Sequence, residues 1–378
     1  MSKLLALTLI SALFLCATAH SAMNTQSSNS SGYWPIEKSQ PIIDKTQTIK
    51  LNPDLSKLTE GERKAVQKLL EVGQIFQKLY EEQRHPEGLK SVQELDQVSK
   101  GTVPKPETSN LVTLYRLFQG PIATTLENQR EPFLPVAGTQ PGKNVYPWGI
   151  TKEEVDSKLT LTSPAVQTKQ SIMDLRTVVK TASATNLQGD IGRLKNYPAL
   201  QTLHPRLLIQ LEALSKQPRT GAVYAIPYAV AYADDLMKAY SLLNEAADAV
   251  VNNDDEFARY LRNRARDLLS NDYESGDASW VTGRFKNLNA QIGSYETYDD
   301  ELYGVKTFFA FSLLLSRQQE TQALREAMKG LQALEDSLPY EHHKKVREDI
   351  PVGVYDVIAD FGQARGGNTA TILPNESY

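Results

Sequence analysis

Gln291-Ile292-Gly293-Ser294-Tyr295-Glu296-Thr297-Tyr298-Asp299-Asp300-Glu301-Leu302-Tyr303-Gly304-Val305-Lys306 is the densest polar and aromatic stretch of the chain. Four acids fall within six residues, among three tyrosines and two glycines, which is more than a solvated loop needs. One reading is structural: Asp299 to Glu301 stand where carboxylates would cap a helix running on from Leu302. Glu296 is placed differently, in the loop between Tyr295 and Tyr298. Phenols beside a carboxylate can hold an amino group or the backbone of an extended peptide. Paired carboxylates also fit a glycosidase, in which one acid stays protonated and another ionised, so a carboxylate-based hydrolase is the minor alternative.

Working outward, the spacing of apolar residues predicts a third long helix of the second half from about Leu302 to Leu338. It would pass from an apolar part (Phe308, Phe309, Phe311, Leu313) to an amphipathic part (Leu324, Met328, Leu331, Leu334) and stop at Pro339. Beyond it, Ile350 to Ile358 is β-branched and alternating, which predicts a buried strand. Upstream, Ala229 to Asn252 reads as a helix with Val230, Leu236, Tyr240, Leu243 and Ala247 on one side. Asp254-Asp255-Glu256 then opens another through Phe257, Leu261, Ala265 and Leu268. Thr59 and Glu62 form a capping box ahead of a helix to about Arg84, and Thr151 and Glu154 form a second one ahead of a short helix. Between them, Gly101 to about Lys152 is rich in Pro, Gly, Asn and Gln and reads as irregular loops. A polar segment with a few short strands is expected after the second box. The fold class expected is therefore mainly α, a multi-helix body with a small β component, with one region over 33–225 and a second over 226–378.

The start of the chain has its own pattern. Lys3, an apolar run of 12 residues from Leu4 to Leu15, and Ala17-Thr18-Ala19 make a signal peptide over 1–19, followed by a Ser/Asn-rich flexible lead-in over 20–32. A transmembrane anchor needs about 20 apolar residues, and Ser11, His20 and Asn24 interrupt too early. Bulky Phe14-Leu15 argues against lipidation of Cys16. The expectation is an exported protein, periplasmic or secreted, with no membrane contact after cleavage. Losing Lys3 leaves 40 of the 41 basic groups against 45 acidic ones, a net charge of −5, which does not fit a nucleic-acid partner. Cys16 is the only cysteine, so cleavage would remove thiolate catalysis, cysteine zinc sites and disulfides together. With 378 residues, 40% hydrophobic and 23% charged, the composition is otherwise that of an ordinary globular chain.

No phosphate loop, dinucleotide fingerprint or Gly-x-Ser-x-Gly elbow occurs. None of His20, His85, His204, His342 and His343 has the helical spacing by which zinc hydrolases aim two imidazoles at one ion. Glu341-His342-His343 reads as a solvated helix end rather than a metal site, because adjacent side chains on a helix diverge. No residue is assigned a catalytic or metal-ligating role.

Ile292-Gly293-Ser294-Tyr295-Glu296-Thr297-Tyr298 resembles the Ile-Gly-x-x-Glu-x-Tyr segment of dipeptidyl peptidase III, a two-lobed zinc exopeptidase that releases dipeptides from peptide N-termini. Other features follow in the same order: Gly304-Val305-Lys306, Leu334 to Pro339, the Tyr355 to Ala359 strand and Leu373-Pro374-Asn375. Upstream, Leu58 to Leu79, Ala225-Ile226-Pro227-Tyr228 and Tyr273 to Trp280 are similar to shorter bacterial relatives described as zinc-dependent hydrolases. The resemblance implies that Glu296 and Tyr298, with Tyr295 beside them, bind the N-terminal end of a peptide and that Asn375 holds substrate backbone. Ile372 replaces the first Asn of the family's Asn-x-Pro-Asn segment. The family's zinc helix would follow Asn375 by several dozen residues, past Tyr378. Zinc is therefore expected only with that further lobe, and this chain alone is expected to be inactive and at most peptide-binding. The alternative is a complete, non-catalytic peptide-binding or interaction protein.

Overall fold

The computed structural model describes residues 32–100, 106–159, 169–216, 221–347 and 352–366. The expected signal peptide, nearly all of the lead-in, and Asn375 lie outside them. In chain order the elements begin with α1 (Ile36–Asp44), α2 (Glu60–Arg84), α3 (Gly88–Lys100), α4 (Pro106–Phe118), β1 (Ile122–Thr124) and β2 (Arg130–Pro132). A 3-10 turn (Lys143–Val145) leads to α5 (Lys152–Leu159), α6 (Lys169–Ile172), β3 (Thr177–Thr181), α7 (Ala184–Asn196), α8 (Pro198–Leu203), α9 (Leu207–Lys216) and β4 (Val223–Pro227). There follow α10 (Tyr228–Ala231), α11 (Ala233–Val250), α12 (Asp255–Ser270), α13 (Glu274–Thr282), β5 (Leu288–Ser294) and β6 (Phe309–Ser316). Last come α14 (Gln318–Met328), α15 (Leu331–Asp336), β7 (Tyr355–Gly362) and a 3-10 turn (Gln363–Gly366). The architecture is mainly α with three small antiparallel sheets, β1-β2, β3-β4 and β5-β6-β7.

Local chemistry sets the helix starts. Thr59 Oγ1 accepts from the Glu62 amide at 3.2 Å while the Glu62 carboxylate accepts from the Thr59 amide at 2.8 Å, so two otherwise unpaired donors are satisfied reciprocally. Thr151 and Glu154 repeat the arrangement at 3.2 and 2.9 Å ahead of α5. Asp254 caps α12 by accepting from the Phe257 amide at 3.0 Å.

Helix α2 is the spine. It packs against α11 and against β6 and β7, and α11 packs in turn against α12. Phe76 is fully buried and meets Phe309 and Phe311 edge-on, with ring centroids 5.3 and 5.9 Å away. Phe361 lies over Gly73, where an added Cβ would come within 2.2 Å of its ring. One large core runs from Leu58, just ahead of α2, to Leu313 on β6, and a smaller one joins Trp34, Leu111, Leu114 and Phe133 around α1, α4 and β2. The boundary drawn at 225/226 falls inside β4.

Several expectations are corrected. The stretch from Leu302 to Leu338 is not one helix. Phe309 to Ser316 is a strand with Phe309, Phe311 and Leu313 facing the core, and only α14 and α15 beyond it are helical. Pairing with β5 on one side and β7 on the other satisfies its backbone, which outweighs the helical spacing of its apolar residues. The first residues of the quoted stretch, Gln291 to Ser294, lie in β5. The Gly101 to Lys152 region contains α4, which starts with Pro at its first position and buries Leu111, Leu114 and Tyr115. The Ala229 helix breaks at Tyr232, and Tyr240 is exposed while Ala239, Leu242 and Ala246 face inward. The last strand is Tyr355–Gly362, overlapping the expected one only over its end.

Candidate functional site

Residues 295–308 connect β5 to β6, and two of their acids, Asp299 and Asp300, bind inward. Asp300 is buried and does not cap a helix. Its Oδ1 accepts from the amides of Leu302 and Tyr303, both at 3.0 Å, and its Oδ2 accepts from those of Val305 and Lys306 at 2.9 and 2.8 Å. The Tyr146 hydroxyl adds a fifth bond to Oδ2 at 3.1 Å. A carboxylate so surrounded folds the turn around itself. Asp299 Oδ2 accepts from Tyr80 at 3.0 Å and from Gln363 Nε2 at 2.9 Å, which ties the loop to α2 and to the end of β7. Lys306 is fully buried and donates to the carbonyls of Ile172 and Asp174 at 2.5 and 2.7 Å and to Thr177 Oγ1 at 2.6 Å. Burial outweighs the opposing pull of Asp174 and Asp300 and pushes its ammonium down to about 7. Three acceptors at these distances need all three of its protons.

Tyr295 is anchored too. Its hydroxyl donates to Asp277 Oδ1 at 2.5 Å, and Asp277 also pairs with the buried Arg264. Arg264 Nη1 reaches Asp267 at 3.1 Å, and Asp267 further accepts from Ser275 Oγ at 2.9 Å and the Gly276 amide at 3.0 Å. The guanidinium lies 5.5 Å from the ring centroids of Tyr260, Tyr273 and Tyr295. Burial holds the Tyr295 phenol well above its ordinary value, so it stays a donor. Sequence reading missed this cluster. The signal was present, because Arg264 falls on the apolar face of α12 between Leu261, Ala265 and Leu268, where a cation needs buried partners.

Glu296 and Tyr298 stand apart from these anchors. Tyr298 is 64% exposed. The Glu296 carbonyl accepts from the Phe308 amide at 3.2 Å, which fixes the backbone, but its Oε1 is buried with no hydrogen-bond partner. The other buried side-chain atoms without partners among the described residues are Asp360 Oδ1, Gln363 Oε1 and Arg264 Nε. Gln363, through its bond to Asp299, belongs to the same neighbourhood as the loop. Of the predicted site residues, the structure therefore brings Tyr295, Glu296 and Tyr298 onto one anchored loop, with Tyr295 spent on Asp277. Asn375 is outside the described residues.

Among the described residues no three His, Cys, Asp or Glu side chains are grouped so as to hold a metal. His85 Nδ1 accepts from the Glu87 amide at 3.1 Å and its Nε2 meets the Ala137 carbonyl at 3.0 Å, while His204 Nε2 meets the Leu269 carbonyl at 2.8 Å. His342 and His343 are exposed.

No protein-family profile matches the chain. A plant protein described as Nudix hydrolase 3, from Arabidopsis thaliana, is 30% identical over 240 residues, which is 62% of this chain and 28% of that protein. Among solved structures, DPP III from Caldithrix abyssi aligns with a TM-score of 0.68 at 21% identity, covering 87% of this chain and 54% of that one. Dipeptidyl-peptidase III from Corallococcus sp. strain EGB aligns with a TM-score of 0.67 at 23% identity, covering 89% of this chain and 54% of that one. The chain thus spans about half the length of the solved structures it matches and about a quarter of the plant protein. Over the part that it spans, it has a dipeptidyl-peptidase-III-like fold.

Proposed function

We propose that this chain is an exported, peptide-binding member of the dipeptidyl-peptidase-III-like group that captures the free N-terminal amine of a peptide at Glu296 and does not by itself cleave it. The observation that carries this is the Glu296 carboxylate, which holds an oxygen out of water with no donor to satisfy it. A buried acceptor without a partner costs free energy, and an ammonium group supplies the missing donors together with the opposite charge. Tyr298 stands exposed two residues on, with a ring and a hydroxyl free to line the same ligand. The anchors at Tyr295, Asp299 and Asp300 hold the loop rigid, so little ordering opposes binding. The described residues offer no fitting donor set for the zinc of the peptidases, and no step here runs through a metal.

Calorimetry with a short peptide, free or acetylated at its N-terminus, tests the reading. The free peptide should bind, acetylation should abolish binding, and Glu296→Gln should weaken it by about tenfold or more while leaving the melting temperature unchanged. Equal binding of both peptides sinks the proposal. Elemental analysis of the purified chain should find less than stoichiometric zinc, and one tightly held zinc per chain overturns the non-catalytic half of it.

A further inference from the structure

A cavity of about 70 Å³ lies where the C-terminal end of α2, the turn after α4, β1, β2 and the turn at Lys143 meet. One water needs roughly 10–15 Å³ by the same measure, so there is room for several waters or one small polyatomic ion. Arg84, Arg130 and Lys143 line it together with the hydroxyl residues Thr124 and Thr139, and no carboxylate does. His85 also lines it but is not a free cation, since its Nδ1 is occupied by the Glu87 amide.

The three cations come from separate segments. Glu301 Oε1 reaches Arg130 Nη1 at 2.9 Å and Lys143 Nζ at 3.2 Å, and Asp299 Oδ1 lies 3.6 Å from Arg84 Nε. These ion pairs set two carboxylates against the three cations, and Glu81, which also acts on Arg84, is shared with Arg365. Lys143 is the most constrained of the three: its side chain is only 2% exposed and its backbone sits at a φ of +49°. A lysine persists in that left-handed region only where its surroundings impose it, and such positions cluster at ligand sites. Burial holds its ammonium below the ordinary lysine value although Glu301 pulls the other way.

We propose that this cavity is a binding site for a small oxyanion, gripped by Arg84, Arg130 and Lys143 with the Thr124 and Thr139 hydroxyls beside them. Phosphate and carboxylate present the same chemistry to such a site, two or more oxygens for charge-assisted donors. The site is separate from Glu296 and does not depend on the peptide reading.

Calorimetry of the whole chain with inorganic phosphate, and separately with acetate, at fixed ionic strength in chloride tests it. One saturable phosphate per chain identifies a phosphate-type site, and saturable acetate alone identifies a carboxylate site. In either case Arg130→Gln should weaken binding by about tenfold or more. The Arg130 side chain is 51% exposed, so this variant keeps the fold, and Lys143→Gln serves as a second variant once its melting curve shows it folded. Binding of neither anion, or binding that Arg130→Gln leaves unchanged, overturns the proposal.

Discussion

The connection between β5 and β6 and the segment from α15 to Val346 are both rich in acids, yet the protein uses them in opposite ways. The first sets four acids beside three tyrosines and one lysine, the second three acids beside one tyrosine and two lysines. In the first, Asp300 is buried and collects five hydrogen bonds that shape the turn. In the second, Glu335 makes comparable bonds, to Tyr340 at 2.5 Å and to the Lys344 amide at 2.8 Å, but α14 and α15 bury no residue. Water competes for every bond of the exposed set and screens its charges, whereas in the buried set any donor that loses its partner pays the full desolvation cost. A polar contact therefore matters according to what covers it.

The widest gap should open between two truncations. Asp300→Ala, which strands four amides and the Tyr146 hydroxyl, should lower unfolding free energy by about 3 kcal/mol or more in a urea titration. If it costs no more than a surface change, Asp300 does not anchor the buried loop. The histidines sharpen the same contrast. His85 is buried in its neutral form, with its pKa lowered by burial, whereas the unfolded residue titrates near about 6.5. Between the folded and unfolded values the unfolded state binds more protons, so stability from this group is present above about pH 6.5 and is lost as pH falls further. The urea midpoint should drop between about pH 7.5 and 5.5, with His204 adding in the same direction. His85→Asn should flatten that profile. The smallest effect is expected for Glu335→Ala, whose melting temperature should match that of the unaltered chain; a clear drop would erase the distinction between the two regions.

Much of the helical body was legible. The capping boxes at Thr59 and Thr151 and the Asp254 cap act within three residues, and the buried face of α2 repeats every three or four, so both survive as local signals. The motif containing Glu296 and Tyr298 was legible as a site candidate, but its division of labour was not. Tyr295 looked equivalent to Tyr298 until Asp277, from α13, took its hydroxyl. Asp299 to Glu301 looked like helix caps because a helix was expected after them, and that expectation failed on Phe309 to Ser316. Aromatic and leucine residues there satisfy helical spacing as readily as strand alternation, and nothing within the segment decides between them.

By itself, then, the sequence determined where helices start, which of their faces are apolar, and that acids and phenols are concentrated at 295–303. These follow from interactions spanning a few residues. Only the tertiary structure decided that Phe309 to Ser316 is the middle strand of a sheet, because a strand's backbone bonds belong to its neighbours, here residues around 290 and 360. It also decided that Asp300 is consumed while Glu296 keeps an unpaired oxygen, because satisfaction of a buried carboxylate depends on donors brought from distant elements or withheld by them.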